Sequence, residues 1–230
     1  MFECFKSKDA DRPGKNEVGA KLLWYPDAKI VNKMATKGEY PKGYPEGALV
    51  HYTSGRYGMS GMDFGREQGY AFMYIDFDGT VYQAHPLNRW GQHAGDSYWN
   101  GLGNYVSNRL VGIEITNASE LEKHGDVYKT WFGTTIPESE VRYSKGSKTE
   151  PSGYFHKYTQ AQEDSLIRLL TWLFRNNPTV FNPDLILGHH EVAGPANGKR
   201  TTFRKSDPGG ALSMGMAGLR DIVKKKGVNS

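Results

Sequence analysis

Three short stretches, far apart along the chain, carry side chains able to ligate a metal. They are His51 in LVHYTS, His189 in LILGHHEVAG and Asp207 in RKSDPGG. Each has an ordinary reading: a satisfied core histidine, a polar residue just past a buried strand, and a turn aspartate before Pro-Gly. Together, two imidazoles and a carboxylate make a donor set suited to zinc. Three protein ligands leave a fourth position for water, which is the catalytic rather than the structural arrangement. Zinc lowers the pKa of that water toward about 7. A structural site would ask for four ligands, usually with thiolates, and the single cysteine, Cys4, cannot supply those.

Glu114 and Lys205 extend the set. Glu114 interrupts the apolar run RLVGIEITN, where an unpaired carboxylate is costly to bury. It is either the wet face of a strand or a general acid and base beside a metal-bound water. Lys205 stands two residues before Asp207. It is either a solvent lysine or, if the segment is extended, a donor to a developing oxyanion on the same side as Asp207.

These residues must be positioned by a small number of elements. ALVHYT (48–53) reads as a buried strand, and GMDFGREQG (61–69) as a turn or short helix. Two apolar runs flank Asp78-Gly79 in YAFMYIDFDGTVYQAHP, a hairpin signal. In RLVGIEITN, Val111, Ile113 and Ile115 alternate with Gly112, Glu114 and Thr116, so the two sets face opposite sides of a sheet. Thr159-x-x-Gln162 is a capping box. Leu166, Leu169, Leu170, Leu173 and Phe174 behind it share one helical face, and Asn176-Asn177-Pro178 stops that helix. DLILG (184–188) is a short buried strand, and a last helix covers about 214–226 with Met216, Leu219, Ile222 and Val223 inward. The order strand, hairpin, strand, helix, strand, helix predicts an α/β fold, a central mixed sheet flanked by helices. Residues 1–46 read as an N-terminal extension, irregular apart from a short helix near 15–24. Residues 118–158 are too long for an ordinary connection and read as an insertion in a domain spanning 47–230.

The stretches VHYTS, FDGTVYQAHPLNRWGQHAG, VGIEITNA and GHHEVAG…RKSDPGG, in this order, resemble the zinc-dependent N-acetylmuramoyl-L-alanine amidases of type 2, whose superfamily includes the peptidoglycan recognition proteins. The resemblance runs from about 47 to 225. It implies a zinc enzyme that hydrolyses the amide between N-acetylmuramic acid and L-alanine of peptidoglycan, and a groove on a mixed sheet. It implies His51, His189 and Asp207 as the ligands, taking the histidine directly after Gly188 and leaving His190 as a neighbour. Glu114 matches the catalytic glutamate and Lys205 the lysine two before the third ligand. Some members use a tyrosine ahead of the hairpin instead, a place that counts back to Ala71 or Tyr70. Trp90, His93 and Ala94 of RWGQHAG, with Asn117, are expected on the substrate side, His93 there or in a structural role but not as a ligand. His85, His124 and His156 read as surface residues. Two features depart from the pattern. The spacing from His189 to Asp207 is 18 positions, longer than is common there, with PANGKRTTF as the inserted portion. The other is the aromatic-rich segment 118–158, which either extends the glycan or peptide site or packs on itself.

A net charge of +4 suits an anionic partner such as cell wall. No basic run resembles a nucleic-acid arm, so no nucleic acid is expected, and Lys224, Lys225 and Lys226 close a helix where cations favour the macrodipole. No apolar stretch reaches membrane-span length. The opening MFECFKSKDADRPG lacks an apolar signal region, so synthesis in a cytoplasm without an export signal is expected. That fits a lysin released through a separate pore, or an enzyme recycling muropeptides. A monomer is expected. A binding module of the same fold without catalysis is the rival reading.

Overall fold

The computed structural model describes residues 21–55, 60–194 and 204–228. The N-terminal part contributes β1 (Lys29–Ile30) and β2 (Gly38–Glu39). The domain then runs through β3 (Gly47–Tyr52), α1 (Ser60–Glu67), β4 (Met73–Ile75), β5 (Val81–Gln83), β6 (Arg89–Trp90), β7 (Tyr98–Trp99), β8 (Gly103–Asn104) and β9 (Leu110–Ile115). Next come β10 (Glu120–His124), β11 (Val127–Lys129), β12 (Thr135–Ile136), β13 (Val141–Lys145) and β14 (Ser152–His156). The chain closes with α2 (Gln160–Asn176), β15 (Ile186–Gly188), α3 (His189–Val192) and α4 (Gly215–Val228).

The main sheet has the order β1-β5-β4-β9-β3-β15. Strands β4, β9, β3 and β15 are parallel, and β5 runs antiparallel to β4. This is the expected α/β architecture. Parallel strands need crossovers, and they are usually covered on both faces. Val50, Val111, Ile113, Ile115, Met73 and Ile75 build one face, against which α2 and α4 pack. Leu166, Leu169, Leu170 and Leu173 of α2 are fully buried there, each contributing about 1.5–3 kcal/mol of transfer free energy. The capping box forms as expected: the Thr159 hydroxyl accepts from Gln162 N, and the Gln162 side chain accepts from Thr159 N.

The opposite face of the sheet is split. Leu49, Leu110 and Leu187 pack with Ala94, Val106 and Val192 on one side. Phe72, Tyr74 and Ala84 pack with Met62 of α1 on the other. Between these two apolar patches the sheet carries polar side chains.

The hairpin flanking Asp78-Gly79 is present, with Tyr74 opposite Tyr82 and Ile75 opposite Val81. Its connection is five residues, 76–80, rather than a two-residue turn; the Asp78 carboxylate accepts from Thr80 N at 2.8 Å. Residues 118–158 fold into a second sheet, β12-β11-β10-β14-β13. Its apolar underside is Ala118, Leu121, Tyr128 and Ile136. The helix expected near 15–24 lies for the most part outside the described residues, and 21–24 are not helical. The PANGKRTTF portion also lies outside them.

Two histidines expected at the surface are instead buried. His85 is 2% and His156 4% exposed. Gln83 donates to the His85 carbonyl, and Ala118 N donates to His156 Nδ1. The cover of His156 comes from segments distant in sequence, Phe77 and Ala118 among them, which a polar residue type does not report. Only His124 of the three is exposed.

Candidate functional site

The parallel register aligns three side chains in one row across the sheet. His51 of β3 is the direct partner of Glu114 of β9, and Glu114 of Tyr74 of β4. Gly188 of β15 pairs with Val50, so His189, the next residue, extends the row on its far side. Strand alternation thus puts four chemically active side chains on one face at one level.

His51, His189 and Asp207 meet. His51 Nδ1 lies 3.1 Å from His189 Nδ1 and 3.0 Å from Asp207 Oδ2, and His189 Nδ1 lies 3.0 Å from the same oxygen. All three residues are buried. Backbone carbonyls assign the tautomers. His93 Nε2–H donates to Leu110 O at 3.0 Å, which leaves His93 Nδ1 to accept from His51 Nε2–H at 3.1 Å. His189 Nε2–H donates to Ala94 O at 3.2 Å. The lone pairs of both Nδ1 atoms in the neutral rings therefore point at each other and at a carboxylate oxygen. Three acceptors facing one another without a proton between them repel unless a cation sits among them. The three atoms lie close enough together for one metal ion to be shared among them. The donor set fits zinc.

Electrostatics agree. Burial pushes the His51 imidazole down to about 4, with His189 adding to the effect. Burial also pushes His93 well below its ordinary value, with His51 adding to it. Both rings are thus neutral at pH 7, as ligation and the hydrogen-bond relay require. Burial works to raise the Asp207 carboxyl, but His189 and His51 outweigh it and hold the group well below its usual range.

Glu114 has a different environment. Its Oε2 is buried and has no hydrogen-bond partner among the described residues. Burial raises its carboxyl pKa well above the ordinary value, the Asp207 charge raises it further, and Lys205 opposes both. A cation among the three ligands would act in the same direction as Lys205. Lys205 is exposed and close enough for its charge to act on both Glu114 and His51.

The other expected residues fall in different places. His93 and Ala94 join the site as supports of the two imidazoles. Gly112 makes room for His93: a Cβ there would come within 2.6 Å of the His93 ring. Asn117 does not join the group. It is fully buried, and its Nδ2 donates to the carbonyls of His156 and Lys157 while its Oδ1 accepts from Ser119 N. Trp90 lies on the β2–β6 ribbon, its indole Nε1 over Gly38. His190 braces the third donor: its backbone N–H and its ring Nδ1 each lie 2.9 Å from the Asp207 carbonyl oxygen.

Tyr74 was missed by sequence reasoning, which counted to Ala71 or Tyr70. It is fully buried; its hydroxyl accepts from Thr116 Oγ1 at 2.6 Å. The signal available was the strand of the hairpin itself. With β4 at Met73–Ile75, Tyr74 stands opposite Glu114.

A family model described as N-acetylmuramoyl-L-alanine amidase matches residues 41–210. No curated protein matches by sequence. Three solved structures are alike in fold. A selenomethionine derivative of AmpD is 19% identical with a TM-score of 0.56, over 88% of this chain and 98% of that one. AmiD from E. coli, in complex with its substrate anhydro-N-acetylmuramic acid-L-Ala-D-γ-Glu-L-Lys, is 18% identical with a TM-score of 0.53, over 81% and 60%. AmpDh3 from Pseudomonas aeruginosa, in complex with anhydromuramic pentapeptide, is 17% identical with a TM-score of 0.52, over 86% and 64%. The match thus spans under two thirds of the length of the latter two.

Proposed function

The chain belongs to the N-acetylmuramoyl-L-alanine amidase family, and from that premise we propose that it is a zinc-dependent hydrolase of the bond joining the lactyl group of N-acetylmuramic acid to L-alanine of the stem peptide. His51, His189 and Asp207 hold the metal, and Glu114 handles the proton. The observation that carries this reading is Glu114 Oε2, which has no hydrogen-bond partner among the described residues, on a residue standing in register with His51. The muropeptides bound in the AmiD and AmpDh3 structures support the substrate class.

Bound there, zinc would supply Lewis acidity, lowering the pKa of a water and polarising the scissile carbonyl. The chain's own residues do the rest. The Glu114 carboxylate accepts a proton from the attacking water and returns it to the departing alanine nitrogen, which leaves as an amine. The Lys205 ammonium faces the oxygen that gains charge as the carbonyl carbon becomes tetrahedral. His93 and the Ala94 carbonyl keep both imidazoles in the ligating tautomer throughout.

The test is product chemistry. Purified peptidoglycan is incubated with the protein, and the soluble products are read by mass spectrometry. Free stem peptides with an L-alanine N-terminus are expected. Peptides released still bearing muramic acid, or cut inside the stem, would overturn the bond assignment.

A further inference from the structure

We propose that the inserted sheet of residues 118–158 braces the Asp207 loop, and that Arg142 is a positioning residue for the metal centre; this rests on the zinc reading above. His51 is fixed in the middle of β3, and His189 opens α3 directly after β15. Asp207 is the one donor of the three on no helix or strand. Its reach to the two imidazoles therefore depends on what holds the chain beside it.

Downstream of Asp207 that hold comes from the insertion. Arg142 Nη1 of β13 donates to the carbonyls of Gly210 and Ala211 at 3.2 and 3.0 Å. Phe155 of β14 is fully buried and lies so close over the loop that a Cβ on Gly210 would come within 2.5 Å of its ring. A second contact reaches the loop from the other side. The carbonyl oxygen of Thr149, between β13 and β14, is 3.1 Å from His190 Nε2, and the His190 backbone N–H in turn donates to the Asp207 carbonyl at 2.9 Å. The insertion thus meets the chain just downstream of Asp207 at one point and, at another, His190, whose N–H holds the Asp207 carbonyl. Ligand distances in a well-formed metal site fall within about 0.2 Å of their ideal values, and loss of groups that orient ligands typically costs about 10–100-fold in metal affinity. Arg142 acts through the loop backbone, so the lower end of that range applies.

The experiment measures zinc affinity of the full chain by competition with a chromophoric chelator, alongside the absorption spectrum of the cobalt-loaded protein and thermal melting of the metal-free protein. Arg142→Ala is expected to weaken zinc about tenfold and to alter the cobalt spectrum, with metal-free melting little changed. Arg142→Lys keeps a cation able to donate to both carbonyls and recovers most of the affinity. Gly210→Ala, which wedges the joint from the loop side, weakens zinc in the same way and serves if Arg142→Ala folds poorly. Zinc affinity within twofold of the unaltered chain in both Arg142→Ala and Gly210→Ala overturns the proposal. An unaltered chain that binds no zinc has a different signature, and it overturns the underlying metal reading as well.

Discussion

His51 and Glu114 are direct partners across the parallel strands β3 and β9, so a neutral imidazole and a carboxyl group whose Oε2 has no hydrogen-bond partner among the described residues stand side by side on one face. Parallel register fixes this adjacency through the backbone ladder. It does not depend on a loop conformation.

Glu114→Gln keeps the size of the side chain and removes its basicity. Hydrolysis of peptidoglycan is expected to fall about 10²–10⁴-fold with zinc content unchanged. A Gln variant with ordinary turnover would remove Glu114 from the mechanism.

Lys205→Ala tests the oxyanion role. Loss of one donor of this kind costs about 10²–10³-fold in kcat, and the expected change falls on kcat with little change in KM. A variant that raised KM alone would make Lys205 a substrate-binding residue.

Gly112 carries no functional group, yet its replacement is expected to damage the metal centre. A Cβ at 2.6 Å from the His93 ring must push that ring away from His51 Nε2. Gly112→Ala is expected to weaken zinc binding about tenfold or more, measured by chelator competition. Unchanged affinity would show that His93 does not orient His51.

The sequence carried the site's parts better than its setting. His51, Glu114 and His189 were readable because each breaks or ends an apolar run whose period fixes its direction. Asp207 was readable only beside the others, since its own neighbourhood says turn. Strands β10 to β14 were not readable. β10 exposes Glu120, Glu122, Lys123 and His124 and buries only Leu121, so its pattern is that of a polar loop until β14 and β11 pair with it. Tyr74 was lost inside the continuous run AFMYI, where buried strands show no alternation. The burial of His156 was not readable because its cover, Phe77 and Ala118 among it, comes from elsewhere in the chain.

His85 has an acid-sensitivity consequence. Burial pushes its imidazole from its ordinary 6.5 down to about 4, and its Nδ1 has no partner among the described residues. Between those values the unfolded chain binds more protons than the folded one. Stability therefore falls as pH drops from 6.5 and levels out below about 4. The contribution at pH 5 is about 2 kcal/mol. Urea unfolding at pH 7.5 and pH 5 is expected to show a smaller acid loss in His85→Gln than in the unaltered chain, whatever the variant's stability at neutral pH. An equal acid loss in both would contradict this role.

The most direct measurement is metal analysis of the purified chain beside His51→Ala. One zinc per chain is predicted for the unaltered protein after zinc loading and dialysis, and essentially none for the variant. Stoichiometric zinc in His51→Ala, or none in the unaltered chain, would contradict a centre built from His51, His189 and Asp207.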